Sequence, residues 1–430
     1  LMPVVVLFII FVALLVIAVP VSITLGITSV LPSVFDPSFT VGAKYLIRAM
    51  FGGLDSFPLL AVPMFVLSGI IMAKGGISKK LFDVFAYFLG KFTAGMPCAV
   101  IVTCLFYGAI SGSAPATVAA VGSMTIPILT TLGYDITFST AIVAVAGGLG
   151  VIIPPSIPFI MYGMASGASV SDLFLAGIIP GLMIGALLMV YAIYHCKRYG
   201  EDKEKIHSEV QMLHDKGLLK VLKESFFALL SPVIILGCIY TGVASPTEAA
   251  VISVFYALII SLFVYKSIKL RDIWPILVEA IRTFTPILFI LAASTAFSRV
   301  LTLMQVPQTV SEFILNNFHS PVAILLIINI FLLIVGMVMD TTPAILILTP
   351  ILLPIVTAVG MNPIHFGIMM VVNLAIGFVT PPIGVNLFVA SSLTDIPIMR
   401  ISKHAMPMIG YFLVALLLIT FITAISLALI

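Results

Sequence analysis

Charged residues are scarce in this chain. Asp, Glu, Lys and Arg together make up 9% of its 430 residues, whereas hydrophobic residues make up 61%. A soluble domain of this size needs a charged surface, so the composition excludes a soluble globular protein. The net charge of +3 also gives no basic surface for nucleic acid. With a mean hydropathy of +1.29 and repeated apolar stretches near the ~20 residues that a helix needs to cross a bilayer, the chain is predicted to be an all-α polytopic membrane protein.

Motifs for ATP hydrolysis and for the commoner enzyme chemistries are also missing. No G-x-x-x-x-G-K-[ST] and no H-E-x-x-H occurs, which excludes a P-loop ATPase and a zincin-type protease on this chain. The four cysteines lack metal-type spacing and are predicted to be free; they are Cys98, Cys104, Cys196 and Cys238. Asp340 has no second intramembrane Asp in a matched motif, and no filter-like or ring-forming acidic stretch appears. We therefore predict that the chain is not an enzyme and has no cofactor, and that a channel is the less favoured interpretation.

What the chain does contain is an internal repeat. The pairs Pro154-Pro155 and Pro381-Pro382 lie 227 residues apart. The same offset matches Gly150 with Gly377 and Gly133 with Gly360, and one added residue matches Pro115 with Pro343. Two related halves, each broken twice by Gly, Pro and small polar residues, are typical of secondary transporters.

The charge distribution predicts the organisation and orientation of these halves. Seven basic and six acidic residues lie between His195 and Glu224, so residues 196–225 are predicted to be a cytoplasmic, amphipathic connecting loop between repeats at 1–195 and 226–430. The loop at 167–172 has no Lys or Arg, whereas the equivalent loop of the second half carries Arg400 and Lys403. By the positive-inside rule the two repeats have inverted topology, with both termini periplasmic and roughly ten to twelve spans in addition to re-entrant hairpins.

Each repeat is predicted to contain a re-entrant hairpin followed by a broken helix. These lie near 97–131 and 136–168 in the first half and near 322–358 and 364–392 in the second, before a final span at 405–430. A helix limited to 116–127 would cover only about 18 Å and would not cross the membrane. Broken backbone at membrane depth must be buried in protein or line a wet cavity. Helix N-termini there attract anions, and free carbonyls with hydroxyls suit a hard cation.

Asp340 is the most informative single residue. It follows the apolar run LLIVGMVM and precedes TTP, and a carboxylate at the bilayer centre costs about 2.5–3.5 kcal/mol. An N-cap for the helix that starts near Pro343 is one explanation. A role in binding an ion or the substrate, with or without capping, is the other. The matched position of the first half is Ser113, so the two sites need not be chemically equal.

Several other polar residues have simpler structural explanations. Glu248 completes a capping box with Ser245, and Asp172 and Asp395 are expected to be N-caps of the last helix of each half.

Two further pairs of polar residues lie within apolar surroundings. Arg282 and Arg299 are expected to snorkel to the interface or to anchor a horizontal arm helix rather than to bind substrate. Asn373 and Asn386 lie close to the second break, where either could be a hydrogen-bond partner for opened backbone.

The order of these motifs resembles the large membrane subunit of tripartite ATP-independent periplasmic (TRAP) transporters. The elements are a hairpin with SGS, a break with PPS, a long loop, a hairpin with DTTP and a break with TPPIGVNLFV. The stretch GGLDSFPLLAVPMFVLSG at 52–69 is similar to the family's early arm. The resemblance covers essentially the whole chain.

The resemblance implies an elevator-type, sodium-driven importer of small organic acids in the bacterial inner membrane, with sodium as the coupling ion. It also implies two partners, a small four-helix membrane subunit and a periplasmic substrate-binding protein. Because the chain begins at Leu1-Met2-Pro3, the small subunit is expected to be a separate polypeptide. N-acetylneuraminate, a sialic acid, is the favoured substrate and a C4-dicarboxylate the second. Proton-coupled or uncoupled anion transport is the alternative, and a channel or a scaffold is less favoured.

Carried over by position, the resemblance also implies binding residues. Substrate is expected at Ser111, Ser113, Ser156 and Asp340. Sodium is expected at two sites, formed by the first hairpin and break with Ser111, Gly112, Ser113, Gly150 and Pro154, and by the second with Asp340, Thr341, Thr342, Gly377, Thr380 and Pro381.

Overall fold

The computed structural model describes residues 2–35, 39, 42–382 and 384–430, which are mostly helical. Leu1 and Ile383, the latter within the predicted second break, lie outside this part of the chain. The helices of the first half are α1 (Met2–Val16), α2 (Val21–Phe35), α3 (Ala43–Leu54), α4 (Ala61–Lys74), α5 (Ile77–Leu89), α6 (Gly95–Ser111), α7 (Ala114–Thr131), α8 (Ile136–Gly147), α9 (Ile157–Ser166) and α10 (Val170–Tyr199).

The remaining helices form the connector and the second half. They are α11 (Lys203–Asp215), α12 (Leu218–Tyr240), α13 (Pro246–Ile259), α14 (Ile273–Leu303), α15 (Val306–Asn317), α16 (Pro321–Val338), α17 (Thr341–Ala358), α18 (Pro363–Gly377), α19 (Val385–Thr394), α20 (Ile398–Phe421) and α21 (Thr423–Leu427). Short 3-10 helices occupy Phe57–Leu60, Gly148–Val151 and Leu270–Asp272, and a π-helical turn extends α13 over Ile260–Val264.

The 227-residue offset holds for helices as well as for prolines. Adding 227 to the bounds of α7 gives 341–358, the bounds of α17, and adding it to α8 gives 363–374, which begins with α18. The same shift brings α9 onto α19 and α10 onto α20 within a few residues at their starts. Both Pro-Pro bonds are cis. The repeat is therefore a property of the fold.

The two halves differ at one long helix. In the second half α14 is a continuous helix of 31 residues, whereas the matched positions of the first half form α3 and α4, separated at Asp55-Ser56 and by the short helix Phe57–Leu60. Gly53 brings α3 against α14, since a Cβ at Gly53 would lie 2.6 Å from the Cβ of Thr295.

Hydrogen bonds that join distant helix ends and loops define two ends of the molecule. At the basic end, Ser225 donates to the carbonyl of Lys80 at 2.8 Å, and both Ala94 N–H and Tyr134 O–H donate to Glu201. This end gathers the connector and the lysine-rich loops.

At the opposite end, Thr247 donates to the carbonyl of Phe57 at 3.2 Å, and Tyr162 donates to that of Pro363 at 2.5 Å. Helix α8 starts beside Tyr134 at the basic end, whereas its repeat mate α18 starts at Pro363 at the opposite end. The two repeats run in opposite directions, so their topology is inverted.

Several helix bounds and caps differ from the sequence-based expectations. Helix α7 extends to Thr131 because Pro127 lies inside it rather than at its end. The last long helix begins at Ile398, before the predicted 405, because its first turns carry the charged Arg400 and Lys403 that a hydropathy pattern leaves out, and it ends at Phe421.

The connector is shorter than 196–225. Helix α10 continues to Tyr199 and α12 already starts at Leu218, after Gly217 with a φ of +81°. The caps predicted at Asp172 and Asp395 are wrong. Ser169 caps α10 by accepting from Asp172 N–H, and Asp395 ends α19 with a φ of +55°. The capping box of Ser245 and Glu248 is confirmed.

Among the described residues, nine helical stretches are long and apolar enough to cross a membrane. They cover 57–74, 114–131, 170–199, 218–240, 246–264, 270–303, 321–338, 341–358 and 398–421. The other apolar helices have 10–17 residues, and they include α6, α8, α9, α18 and α19, which flank the two tips and the two breaks.

Candidate functional site

The first hairpin tip is a compact group of hydroxyl and carbonyl oxygens. Gly112, with a φ of +61°, ends α6 and lets Ser113 precede α7. The hydroxyls of Ser111 and Thr117 lie 3.0 Å apart, and Thr117 Oγ1 donates to the carbonyl of Ser113 at 2.8 Å. Ser111 and Thr117 are buried, and Ser113 is partly exposed.

The first break packs directly on this tip. Ile157 N–H, at the start of α9, donates to the carbonyl of Gly112 at 3.2 Å. A Cβ at Gly150 would lie 2.8 Å from the carbonyl oxygen of Ser113, so glycine permits the close approach of the two chain segments. Pro154 is buried within the break, and the carbonyl of Pro155 faces Gly112.

Ser156 supports the break from inside. Its Oγ accepts from Phe159 N–H at 3.4 Å, which caps α9, and donates to the carbonyl of Val151 at 2.6 Å. The structure therefore brings together Ser111, Gly112, Ser113 and Gly150, and it places Ser156 behind them, fully buried.

The second hairpin tip is built differently. Asp340 is the N-cap of α17: its Oδ1 accepts from Thr341 N–H at 2.6 Å and from Thr341 Oγ1 at 3.3 Å. Thr341 and Thr342 are buried, whereas the Asp340 side chain is exposed. Its predicted capping role is confirmed, and the exposed carboxylate keeps acceptor capacity for a further ligand.

The second break uses a similar glycine contact. A Cβ at Gly377 would lie 2.3 Å from the carbonyl carbon of Gly336, which is one helical turn before Asp340. Gly108 and Gly150 make the equivalent contact in the first repeat, with 2.7 Å from a Cβ at Gly108 to the Cα of Gly150. Thr380 Oγ1 donates to the carbonyl of Ile376 at 2.7 Å, and Pro381 follows it at the cis bond.

Two buried asparagines near the second break donate hydrogen bonds to other helices, and not to the opened backbone of that break as predicted. Asn386 Nδ2 donates to the carbonyl of Ala144 at 3.0 Å, which joins the second break to α8 of the first repeat. Asn373 Nδ2 donates to Asn329 Oδ1 at 2.8 Å and to the carbonyl of Asn329 at 3.0 Å, so both acceptors belong to α16.

A cavity of about 670 Å³ opens beside the first tip. It lies between α4, α7 and α14, and we call it the basic-end cavity because Lys74 and Lys79 lie at its rim. Its polar lining residues are Lys74, Ser78, Lys79, Tyr107, Ser111, Ser113, Ser123, Glu279 and Thr283.

A second cavity, of about 310 Å³, is the repeat mate of the first. Adding 227 to Ala119 and Ser123 of the basic-end cavity gives Leu346 and Pro350, and subtracting 227 from Glu279 and Thr283 gives Gly52 and Ser56; all four line the smaller cavity. We call it the opposite-end cavity. Its polar lining residues are Ser56, Ser294, Thr295, Ser298 and Arg299.

The predicted substrate residues do not share one cavity. Ser111 and Ser113 line the basic-end cavity, whereas Ser156 and Asp340 line neither of the two. Thr117 and Glu279 were not predicted as site residues, and Arg299 was predicted to lie at the interface or to anchor an arm helix. Thr117 could have been found as a hydroxyl one turn after the start of α7. Glu279 and Arg299 could have been found as charged residues in an otherwise apolar long helix.

Within the described residues, no group of three or more His, Cys, Asp or Glu side chains forms a metal site. The oxygen atoms gathered at the two tips are hydroxyls, carbonyls and one carboxylate. These are the ligand types that hard cations prefer.

The family model described as "Tripartite ATP-independent periplasmic transporter, DctM component" matches residues 8–425. The chain belongs to this family. Among curated TRAP relatives, the C4-dicarboxylate large permease protein of Pseudomonas aeruginosa is 40% identical over 88% of both chains. The sialic acid large permease protein of Vibrio cholerae is 34% identical, also over 88% of both.

A third TRAP relative is longer. The isethionate permease protein DctMQ of Oleidesulfovibrio alaskensis is 44% identical over 98% of this chain, which spans 66% of that protein's length.

Two solved transporters share the fold of this TRAP large subunit. The YdaH transporter of Alcanivorax borkumensis aligns with a TM-score of 0.60 at 13% identity, over 96% of this chain and 97% of that one. MtrF of Neisseria gonorrhoeae aligns with a TM-score of 0.61 at 14% identity, over 97% and 94%. The predicted fold class, a polytopic all-α transporter with inverted repeats, hairpins and broken helices, is confirmed.

Proposed function

We propose that this TRAP large subunit imports a small organic anion across the bacterial inner membrane by coupling its movement to sodium. The observation that carries the proposal is the pair of tip-and-break clusters, repeated with opposite direction and rich in hydroxyl and carbonyl oxygens. One cluster contains Ser111, Ser113 and Gly150, and the other contains Asp340, Thr341 and Gly377. Hydroxyl, carbonyl and carboxylate oxygens of this kind suit a sodium ion.

The two cavities support alternating access. They lie at opposite ends, are related by the repeat and differ in volume, about 670 against about 310 Å³. In an elevator mechanism the hairpins and breaks move against the scaffold, which would widen one cavity as the other narrows. The basic end is proposed to be cytoplasmic.

Arg299 is the proposed first contact for the anion. It lines the opposite-end cavity with Ser56, Thr295 and Ser298. A guanidinium binds carboxylate and sulfonate oxygens through paired N–H donors. The relatives' names give acids of different shapes as substrates, including isethionate, C4-dicarboxylate and sialic acid, so we propose the class of small organic anions. N-acetylneuraminate and a C4-dicarboxylate remain the first compounds to test.

An apolar groove supports the proposed small membrane subunit. Helix α5 packs against α12, whereas their repeat mates α15 and α1 leave a groove of about 670 Å³ between them. Val5, Ile9, Val12 and Phe313 along this groove are exposed. A hydrophobic helix of a partner subunit would cover them. The periplasmic binding protein is proposed as the third component.

Uptake into proteoliposomes tests the proposed function. The large subunit is reconstituted with its small subunit, and the binding protein is supplied outside with labelled N-acetylneuraminate, succinate or isethionate. We expect uptake of at least one compound under an inward sodium gradient and none under a potassium gradient of equal ionic strength. Uptake driven by a proton gradient alone would show that the coupling ion is the proton and not sodium. Uptake that needs no gradient would contradict active transport.

Replacing Arg299 by glutamine is expected to reduce this uptake about 10- to 100-fold. The variant removes a charge-assisted hydrogen bond to the anion, worth about 1.5–3 kcal/mol. The matched control is Arg282→Gln, on the same helix, exposed and outside both cavity linings. Initial rates are compared at low substrate concentration. Equal losses in the two variants would remove Arg299 from the anion path.

A further inference from the structure

Lys74 and Glu279 form an ion pair at the mouth of the basic-end cavity. Their Nζ and Oε2 atoms lie 2.5 Å apart, and their side chains are 42% and 49% exposed. Lys74 is the last residue of α4 and Glu279 lies near the start of α14. The pair therefore joins the first repeat to the second across the cavity opening.

The wall of the basic-end cavity is charged at the mouth and becomes largely apolar towards the first tip. Gly69 packs against Ser111, with 3.2 Å from a Cβ at Gly69 to the Cα of Ser111. Lys74 lies five residues further along α4, about 7.5 Å closer to the basic end. Between them the wall is largely alanine and isoleucine. An anion that leaves the first tip therefore meets no cation until it reaches the mouth.

The repeat mates of the pair are uncharged. Adding 227 to Lys74 gives Leu301, and subtracting 227 from Glu279 gives Gly52. In the opposite-end cavity the cation is Arg299, and among the described residues no acidic side chain lies within 4.0 Å of its nitrogens. The opposite-end cavity thus presents a cation without a carboxylate partner, whereas in the basic-end cavity a carboxylate already occupies Lys74, and Lys79 is a second cation at the rim.

We propose that Glu279 makes Lys74 a release station, a low-affinity anion site through which the transported acid leaves. This inference rests on the proposed function. The ammonium of Lys74 attracts the outgoing anion towards the mouth, and the carboxylate of Glu279 competes for the same ammonium, so the anion does not stay bound. Among the described residues Arg299 has no carboxylate partner, so an anion at Arg299 would meet no such competition.

Inhibition of uptake by substrate inside the vesicles tests this proposal. Vesicles containing the complex are preloaded with unlabelled N-acetylneuraminate, succinate or isethionate, and uptake of the same labelled compound is measured. Binding protein supplied only outside restricts uptake to complexes of one orientation. The measured quantity is the internal concentration that halves the initial rate. Variants are Glu279→Gln, Lys74→Gln, their combination and Lys74→Arg, with exposed Glu312→Gln and Lys220→Gln as matched controls.

Glu279→Gln is expected to lower the internal substrate concentration that halves the initial rate by about threefold. A threefold change corresponds to the free energy of a half-exposed ion pair. Lys74→Gln and the double variant are expected to raise this concentration, because the cation is gone, whereas Lys74→Arg and the controls stay near the unmodified protein. If Glu279→Gln leaves this internal concentration unchanged or raises it in a complex that still transports, the inference is wrong. Equal losses of thermal stability in both single variants, with unchanged inhibition by internal substrate, would show that the ion pair only stabilises the fold. This result would also overturn the inference. An unmodified complex that moves none of the three compounds would overturn the proposed function itself.

Discussion

Replacing Gly377 by alanine is expected to lower the stability of the folded protein by about 3 kcal/mol and to abolish uptake. The added Cβ would lie 2.3 Å from the carbonyl carbon and 2.4 Å from the carbonyl oxygen of Gly336. Both are backbone atoms, so no side-chain rotation relieves the overlap. Helices α16 and α18 must separate, and the second tip moves away from the second break. Thermal unfolding in detergent and uptake in proteoliposomes measure the two effects.

Two other glycines are matched controls for this prediction. Gly410 lies in α20 with no atom within 4 Å of an added Cβ, so Gly410→Ala should be neutral or slightly stabilising because alanine favours a helix. A Cβ at Gly148, within the first break, would meet only ordinary contacts from 3.5 Å. A Gly377→Ala protein as stable and as active as Gly410→Ala would show that the close helix contact is not required.

Asp340→Asn is expected to reduce sodium-driven uptake about 100-fold at low sodium concentration, the equivalent of ~3 kcal/mol. Asparagine keeps an oxygen that can accept from Thr341 N–H, so the helix cap survives. The negative charge that would meet the cation is lost. Higher sodium concentration should therefore restore part of the uptake, and the measurement is the initial rate as a function of sodium.

Asp395→Asn provides the control for Asp340→Asn. Asp395 is exposed in the same repeat and has a φ of +55°, a conformation that asparagine also adopts. Its substitution should leave uptake unchanged. An equal loss in both variants, or an Asp340→Asn rate that sodium does not restore, would assign Asp340 a role in folding alone.

The hairpins and breaks could be predicted from sequence because Gly and Pro act locally. Pro115 and Pro154 restrict the backbone wherever the rest of the chain lies, and a 227-residue offset carries the same restriction to the second half. The Asp340 cap followed from the same local chemistry. Pro127 was expected to end its helix but lies inside α7, because an internal proline is tolerated once neighbouring groups satisfy the freed carbonyl.

The cavities could not be predicted because they depend on contacts between distant segments. Glu279 and Lys74 are 205 positions apart in sequence, and their 2.5 Å contact arises only when α4 and α14 pack. Arg299 was expected at the interface because it follows a long apolar run, and nothing local indicated that α3 and α17 would enclose a cavity around it. The Gly336–Gly377 contact likewise appears only after α16 and α18 cross.

Thermal stability of the purified protein in sodium against potassium at equal ionic strength tests the central claim, that the tip-and-break clusters bind the coupling cation. A ligand that binds the folded state raises its stability by mass action. We predict a melting temperature that rises with sodium but not with potassium, a smaller rise in Asp340→Asn and a full rise in Asp395→Asn. Identical melting curves in both salts for the unmodified protein would contradict sodium binding at these clusters.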